Sequence, residues 1–235
     1  MGANLFAKRK FNWNSEISFT SLRNKVVSLG NSTETYFNAY NEYFVGGTAR
    51  IVREGQPFGA FFGYIDDGVW HTQAEIDAAT AAGFATAGLK PGYAKYRDTN
   101  DDKKIDANDR VIIGKPYADF TFGFSNNFSY KNFTLSIFVR GEMGKDVING
   151  ASAEIMNPGY NGSNKLRDLL NRWTPTNTSS NIPSAGFGNY LSPSSSLIED
   201  GSFVKIQNIQ LAYNLAKFPT WLKSAQVYVS GQNLY

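Results

Sequence analysis

Polar and apolar residues alternate with a period of two along several stretches of the chain. In Phe11–Leu22, the residues Phe11, Trp13, Ile17 and Phe19 share one face with Ser15 and Ser21, while Asn12, Asn14, Glu16, Ser18 and Thr20 occupy the other. Successive side chains of a strand point to opposite sides, so this predicts a strand with one apolar and one wet face. In Phe120–Tyr130, Phe120, Phe122, Phe124, Phe128 and Tyr130 alternate with Thr121, Gly123, Ser125, Asn127 and Ser129. Beyond Lys131-Asn132, the residues Phe133, Leu135, Ile137 and Val139 continue against Thr134, Ser136, Phe138 and Arg140. That is a hairpin with long arms and a two-residue turn. Phe203–Leu215 alternates in the same way, and a connector containing Pro219 leads to a last strand, Ala225–Tyr235.

These five strands have lengths suited to a tilted crossing of a bilayer. Their connections are lopsided: short at Lys131-Asn132 and Lys217–Ser224, long over residues 23–119 and 141–202. With alternating strand directions, both long connections fall at one end. Outer-membrane barrels have this asymmetry, with short periplasmic turns and long extracellular loops. The fold expected is therefore all-β, with antiparallel strands forming part of a large transmembrane β-barrel and extracellular loops carrying short helices. A soluble β-sandwich with Phe120, Phe122 and Phe124 turned inward shows the same alternation and stays open on pattern alone.

Within the first loop, Arg50–Arg53 reads as a short strand and Gly55–Tyr64 as Gly/aromatic turns. Gln73–Ala82 reads as a helix with Thr72 as N-cap and Glu75 three residues on. In the second loop, Asn164–Trp173 places Leu166, Leu169, Leu170 and Trp173 on one helical stripe, stopped by Pro175.

Composition removes several classes. Of 235 residues, 42% are hydrophobic, 18% charged and 15% aromatic, which excludes a disordered tail and a coiled coil. No apolar run is long enough for a membrane-spanning helix. A net charge of +3 is too weak a bias for nucleic-acid binding, so no nucleic-acid partner is expected. Cys is absent, which removes thiolate metal sites and Cys nucleophiles. The first ten residues lack the apolar core of a signal peptide, and the chain reads as a piece of something longer.

The sharpest local motif runs from Asp98 to Asp109. Read as an EF-hand-like loop, Asp98, Asn100, Asp102, Asp106 and Asp109 stand at positions one, three, five, nine and twelve, and Lys104 offers its carbonyl at seven. Calcium takes several hard oxygens from such a curled segment, so these six residues are the candidate metal ligands. Lys103 stands where the turn normally has Gly, and Asp109 where it has Glu. The alternative is an Asx-rich turn closed on its own backbone. His71, the one histidine, reads as a loop residue beside Trp70. Asp66-Asp67 and Glu199-Asp200 sit next to Gly and read as turns rather than acid/base pairs. No catalytic residue is assigned, and no enzyme activity is expected. Phe58, Phe61, Phe62 and Tyr64 form a loop cluster that either packs the loop or stacks on a sugar face.

Taken in order, several strings resemble one family. They are Glu54–Tyr64, Asp67-Gly-Val-Trp70, Lys90–Asn100 running into Ile105-Asp106 and Asp109-Arg110, then Ile113-Gly114 and Tyr130–Phe133. Asn171–Pro175, Asp200–Phe203 with Lys205 and Asn208, and Val229–Tyr235 complete them. Together they resemble the C-terminal part of SusC/RagA-type TonB-linked outer-membrane transporters, from about Trp13 to the end. The resemblance implies a barrel of about 22 strands, a plug, TonB as energy source, a SusD-type lid lipoprotein, and import of glycans or peptides. Residues 1–235 would then be a partial barrel cut at both ends. Tyr235 is not expected to be a natural terminus, because Asn233 and Gly231 share its face. The family usually has Gly where this chain has Asp101 and Lys103.

The expected function is that of a segment of a nutrient importer in the cell outer membrane, in contact with lipid, its wet strand faces solvating a passing solute. The alternative is a soluble extracellular glycan-binding β-domain holding one calcium.

Overall fold

The computed structural model describes residues 2–8, 10–37, 49–158, 164–186, 192–215 and 224–234. In chain order its strands and helices are β1 (Gly2–Lys8), β2 (Phe11–Ser21), β3 (Glu34–Phe37), β4 (Arg50–Arg53), β5 (Ala60–Gly63), β6 (Asp66–Val69) and α1 (Gln73–Ala81). There follow β7 (Ala94–Tyr96), β8 (Val111–Gly114), β9 (Phe120–Tyr130), β10 (Phe133–Met143), β11 (Asp146–Ile148) and α2 (Gly150–Ile155). The last three are β12 (Ile198–Asp200), β13 (Phe203–Asn214) and β14 (Gln226–Leu234). The chain divides into two compact units. One comprises Met1–Arg23, Tyr117–Lys145 and Gly201–Tyr235, and the other Asn24–Pro116 and Asp146–Asp200.

The first unit is a six-stranded antiparallel sheet in the order β1-β2-β9-β10-β13-β14. Four of its strands match the ranges read from the sequence to within a residue or two at each end, and the fifth, β10, runs three residues past Arg140 to Met143. The sixth, β1, escaped that reading. A bulge between Asn4 and Phe6 shifts its register against β2, so its residues lack a single two-residue alternation. Lys131 takes a positive φ of 52° in the β9–β10 turn, where Tyr130 pairs with Phe133. The connector Lys217–Ser224 lies almost wholly outside the described residues, as does Tyr235.

Register sorts the sheet into two faces. Trp13, Phe128, Leu135 and Leu211 stand in one cross-strand row, and Ile17, Phe124 and Val139 in another. A bulge at Gln207 lets Ile206 pair with Val139 and Val204 with Gly141, which keeps them on the apolar face although their parity differs from Ile209. Gly141 belongs to this face because the Phe122 ring lies across it; a Cβ there would fall 2.3 Å from the ring. A buried amide on the face, Asn126, accepts the indole N–H of Trp13 at 3.0 Å, satisfying both groups. Asn14, Asn127, Ser136 and Gln210 form the matching row on the opposite, wet face.

The apolar face is open. Ile17 is 55% exposed, Phe19 66% and Val229 68%, and no second sheet belongs to this unit among the described residues. The sandwich alternative is therefore corrected: Phe120, Phe122 and Phe124 are not packed between two sheets. Both long connections leave from the end where Ser21 pairs with Phe120 and Glu142 with Phe203.

The second unit holds the chain of both long connections. Its sheet runs β3-β4-β5-β8, with Ile51, Ala60 and Phe62 at the centre and Ile112 packed against them. Gly55–Tyr64, expected as turns, contains the fully buried strand β5; its pairing with β4 and β8 overrides the turn propensity of its glycines. Phe61 and Phe62 are core, while Phe58 is exposed. Two guanidinium groups cover Phe62, with Arg53 5.2 Å and Arg110 4.7 Å from the ring centre.

The helix expected at Asn164–Trp173 is a 3-10 turn, Arg167–Asn171. With three residues per turn, Leu169 is buried while Leu170 turns out to 71% exposure, so the leucine stripe does not form.

Substitution of Ile137 by Arg puts a charge on the centre of the apolar face and should cost about 2–4 kcal/mol of folding stability in lipid. Ser136→Arg, one residue away on the wet face, should cost far less. Urea unfolding of the vesicle-inserted protein compares them, and equal effects would contradict the two-faced sheet.

Candidate functional site

The helix α1 starts as its sequence dictates. The Thr72 hydroxyl accepts the Glu75 N–H at 3.2 Å. Glu75 reaches back one residue further than a usual capping box, and its Oε2 accepts the His71 N–H at 2.9 Å. Its other oxygen holds Lys95 Nζ at 2.5 Å, and that ammonium stands 4.5 Å from the centre of the Trp70 ring. Burial works to raise the Glu75 carboxyl, but Lys95 and the His71 N–H outweigh it and hold it below its ordinary range.

Trp70 is pinned on its other side by Gly92. Gly92 N–H donates to the Trp70 carbonyl at 2.7 Å, and its φ of +86° is a conformation that favours glycine. A Cβ at Gly92 would fall 2.5 Å from the Trp173 ring, whose indole N–H donates to the His71 carbonyl at 3.1 Å. His71 itself faces the Thr178 carbonyl through Nδ1 at 2.7 Å, as a loop residue beside Trp70.

These contacts frame a half-open cavity of about 370 Å³, lined by Trp70, Phe84, Leu89, Tyr93, Tyr96 and Ser192 among others. Phe84 tilts onto Trp70 with ring centres 6.4 Å apart, and Tyr64 stacks on Tyr96 at 4.9 Å. The Tyr96 hydroxyl accepts the Ser192 N–H at 3.1 Å, and burial pushes its pKa up, so it stays a neutral phenol with a proton to donate. Asp66, close to Tyr96, is raised by burial too, although it accepts the Gly68 N–H at 2.7 Å; Asp66-Asp67, expected as a turn, instead opens strand β6. Neighbouring Asp67 pairs with Arg97 at 2.6 Å. Among the described residues, the cavity lining carries aromatic faces and neutral hydroxyls, with no carboxylate, imidazole or amine. Such a lining binds by stacking and hydrogen bonding. Sequence reasoning did not find it, because Ser192 and Trp70 lie 122 residues apart and share no motif.

The loop expected to hold calcium borders this cavity through Ile105. Asp98 accepts the N–H groups of Asn100 at 3.3 Å and Lys103 at 2.7 Å. Asn100 accepts from Asp102 N at 3.1 Å, and Asp102 from Lys104 N at 3.2 Å. Asp106 caps Asn108 N at 2.7 Å. Asp109, fully buried, spends both oxygens on Thr99 N and Asp106 N, at 2.9 and 2.8 Å. Lys104 Nζ lies 2.7 Å from Asp106 and 3.4 Å from Asp102. Its contact holds the Asp106 carboxyl below the usual range, while the two carboxylates, Asp106 foremost, raise Lys104.

Among the described residues no three His, Cys, Asp or Glu side chains gather into one cluster. In this arrangement the Lys104 ammonium occupies the place beside Asp102 and Asp106 that a cation would take. The departures from the family pattern have a structural use. Asp101 and Lys103 take φ of 60° and 65°, and Lys103 Nζ donates to the carbonyl of Ala82 at the end of α1. Lys103 also accepts Ala85 N through its carbonyl at 2.7 Å. The loop thus fixes the chain beyond α1, which supplies Phe84 and Ala85 to the cavity wall.

No protein-family model matches the chain. TonB-dependent receptor P26 of Formosa agariphila is 34% identical over 235 residues, covering 95% of this chain and 22% of that receptor. TonB-dependent receptor P3 of the same organism is 32% identical over 227 residues, with the same two coverages. Among solved structures, the RagAB peptide transporter matches with a TM-score of 0.75 at 21% identity, over 100% of this chain and 24% of its own. The chain has the sequence of a TonB-dependent receptor segment and the fold of the matching part of a RagA-type barrel. The receptor segment spans 22% of the length of the curated receptors it matches. Its six-stranded sheet is part of a large transmembrane barrel.

Asp66, paired with Tyr96 across β6 and β7, supplies a pH test of the packing next to the cavity. Its raised folded-state pKa means that the ionised carboxyl opposes folding at neutral pH, and that this penalty fades as pH falls through the folded pKa. Asp66→Asn keeps the acceptor for Gly68 N–H and removes the charge. The variant should melt above the parent at pH 7, and the difference should shrink towards acid pH. A variant that melts lower at pH 7 would contradict burial as the dominant influence.

Proposed function

We propose that this receptor segment works in the wall and loops of an outer-membrane nutrient importer. The observation that carries the proposal is the two-faced sheet, apolar and open on one side and lined by Asn, Ser, Thr and Gln on the other. In lipid the apolar face meets acyl chains, and the wet face lines the lumen, where it solvates a passing solute by hydrogen bonding. Residues 23–119 and 141–202 are then extracellular. Their aromatic cavity is the place in this segment that meets substrate.

The substrate class proposed is a glycan or a peptide. The RagAB relative is named as a peptide transporter, and the aromatic cavity suits a sugar face as well as an apolar side chain. TonB and a SusD-type lid lipoprotein are the proposed partners. The role in the segment is binding and passage, with no residue assigned to catalysis.

In the intact receptor, expressed with TonB and its lid partner, uptake of a glycan or peptide should stop when the proton gradient is collapsed. Tyr93→Ala should weaken capture about 2- to 10-fold, the loss of one ring contact at about 0.5–1.5 kcal/mol. Gradient-independent uptake, or none from glycan and peptide mixtures alike, would defeat the reading.

Calcium at Asp98, Asn100, Asp102, Lys104, Asp106 and Asp109 remains a proposal of the same kind, supported by the spacing of its oxygens. It requires the Lys104 ammonium to leave. Lys104→Ala should then raise calcium affinity, read as a larger calcium-dependent gain in melting temperature than in the parent. No calcium response in either protein would remove the metal.

A further inference from the structure

At the loop end of the sheet, the wet face gathers three cations, two of them over one ring. Arg140 and Lys205 are cross-strand partners on β10 and β13, and Glu142 is paired with Phe203 one step nearer the end. Lys145 Nζ stands 5.0 Å from the centre of the Phe203 ring and Lys205 Nζ 5.4 Å. One carboxylate serves the group: Glu142 accepts Arg140 through Oε1 and Lys145 through Oε2, the latter at 2.6 Å. Both its oxygens are committed. Lys205 donates to the amide oxygen of Asn233 at 3.1 Å, and among the described residues it meets no carboxylate.

Neighbouring cations repel, and a sheet that sets Arg directly opposite Lys gives up stability. Opposite charges would be the stabilising choice at a position pair selected for folding alone. In the lumen of a barrel this excess of two positive charges would be less screened than in open water. Glu16, on the same wet face, is separated from this group by β9. Arg140 keeps 47% of its side chain exposed, so its remaining donors reach the space in front of the sheet.

We propose that Arg140, Lys145 and Lys205, with the Phe203 ring under the two lysines, form an anion-receiving subsite that takes a carboxylate of the transported solute. The inference rests on the reading of the wet face as the lumen of an importer. Phe203 supplies an apolar surface for the carbon frame beside the carboxylate, held in place by its two lysine contacts. Lys205 is the donor most readily released, since it has only an amide oxygen and a ring to give up.

The test uses the purified intact receptor and two matched pairs of probes. One pair is an N-acetylated hexa-alanine peptide with a free C-terminal carboxylate and its C-terminal amide. The other is trigalacturonic acid and its methyl ester. In one pair at least, the carboxylate member should bind about tenfold tighter than its neutral partner, the scale of hydrogen bonds to a charged group. The pair that discriminates names the source of the carboxylate. Lys205→Gln should bring the two affinities together, and Lys205→Arg should keep them apart, which separates lost charge from lost folding. Equal affinities in both pairs, or a preference untouched by Lys205→Gln, would overturn the subsite. Gradient-driven uptake of any solute, measured in parallel, reports on the importer reading separately. Uptake without carboxylate preference removes only the subsite, and loss of gradient-driven uptake removes the importer.

Discussion

Inside a bilayer no water is at hand for backbone N–H and C=O groups, so every strand must be paired along its length. The architecture of the first unit follows from that constraint. Six strands pair antiparallel in one sheet, with β1 and β14 outermost and the sheet unclosed. Within lipid those outer edges need further strands, which is the physical content of calling the sheet part of a barrel. The same constraint explains how irregularities are handled. The bulge at Gln207 breaks the ladder once and in doing so keeps Val204 and Ile206 on the apolar face. A buried amide of that face, Asn126, is satisfied by Trp13 rather than left bare.

The second unit obeys a different rule, because its chain is long enough to bury a core of its own. Ile51, Ala60 and Phe62 supply that core. The loop from Asp98 to Asp109 then acts as a brace, with carboxylates closing on backbone N–H groups and Lys103 gripping the end of α1. A cavity walled by Trp70, Phe84, Tyr93 and Tyr96 is what the brace and the Gly92–Trp173 contact together hold open.

Much of the membrane sheet was legible in the sequence because its signal is local. The alternation in Phe120–Tyr130 and Phe133–Val139 states both strands, both faces and the turn between them. The reading failed where a bulge breaks parity, as in β1, and where long-range pairing decides, as in β5, whose glycines argued for turns. It failed again at Arg167–Asn171, where four leucine and tryptophan positions promised an α-helical stripe and a 3-10 turn formed. The acidic loop was legible as a curled, oxygen-rich segment. That Lys104 would lie between its carboxylates depends on side-chain placement that spacing alone does not encode. The cavity was hidden because its walls come from segments about a hundred residues apart in a chain read without pairing information.

The most direct measurement is site-directed spin labelling along β10 of the intact receptor in lipid, in an otherwise cysteine-free background. Labels at residues 135, 137 and 139 should be reached by oxygen dissolved in the bilayer and shielded from a water-soluble nickel complex. Labels at 134, 136 and 140 should show the reverse. That alternation is expected if one face of the sheet meets lipid and the other the lumen. Equal accessibility at adjacent positions, or nickel access throughout, would contradict a two-faced membrane wall.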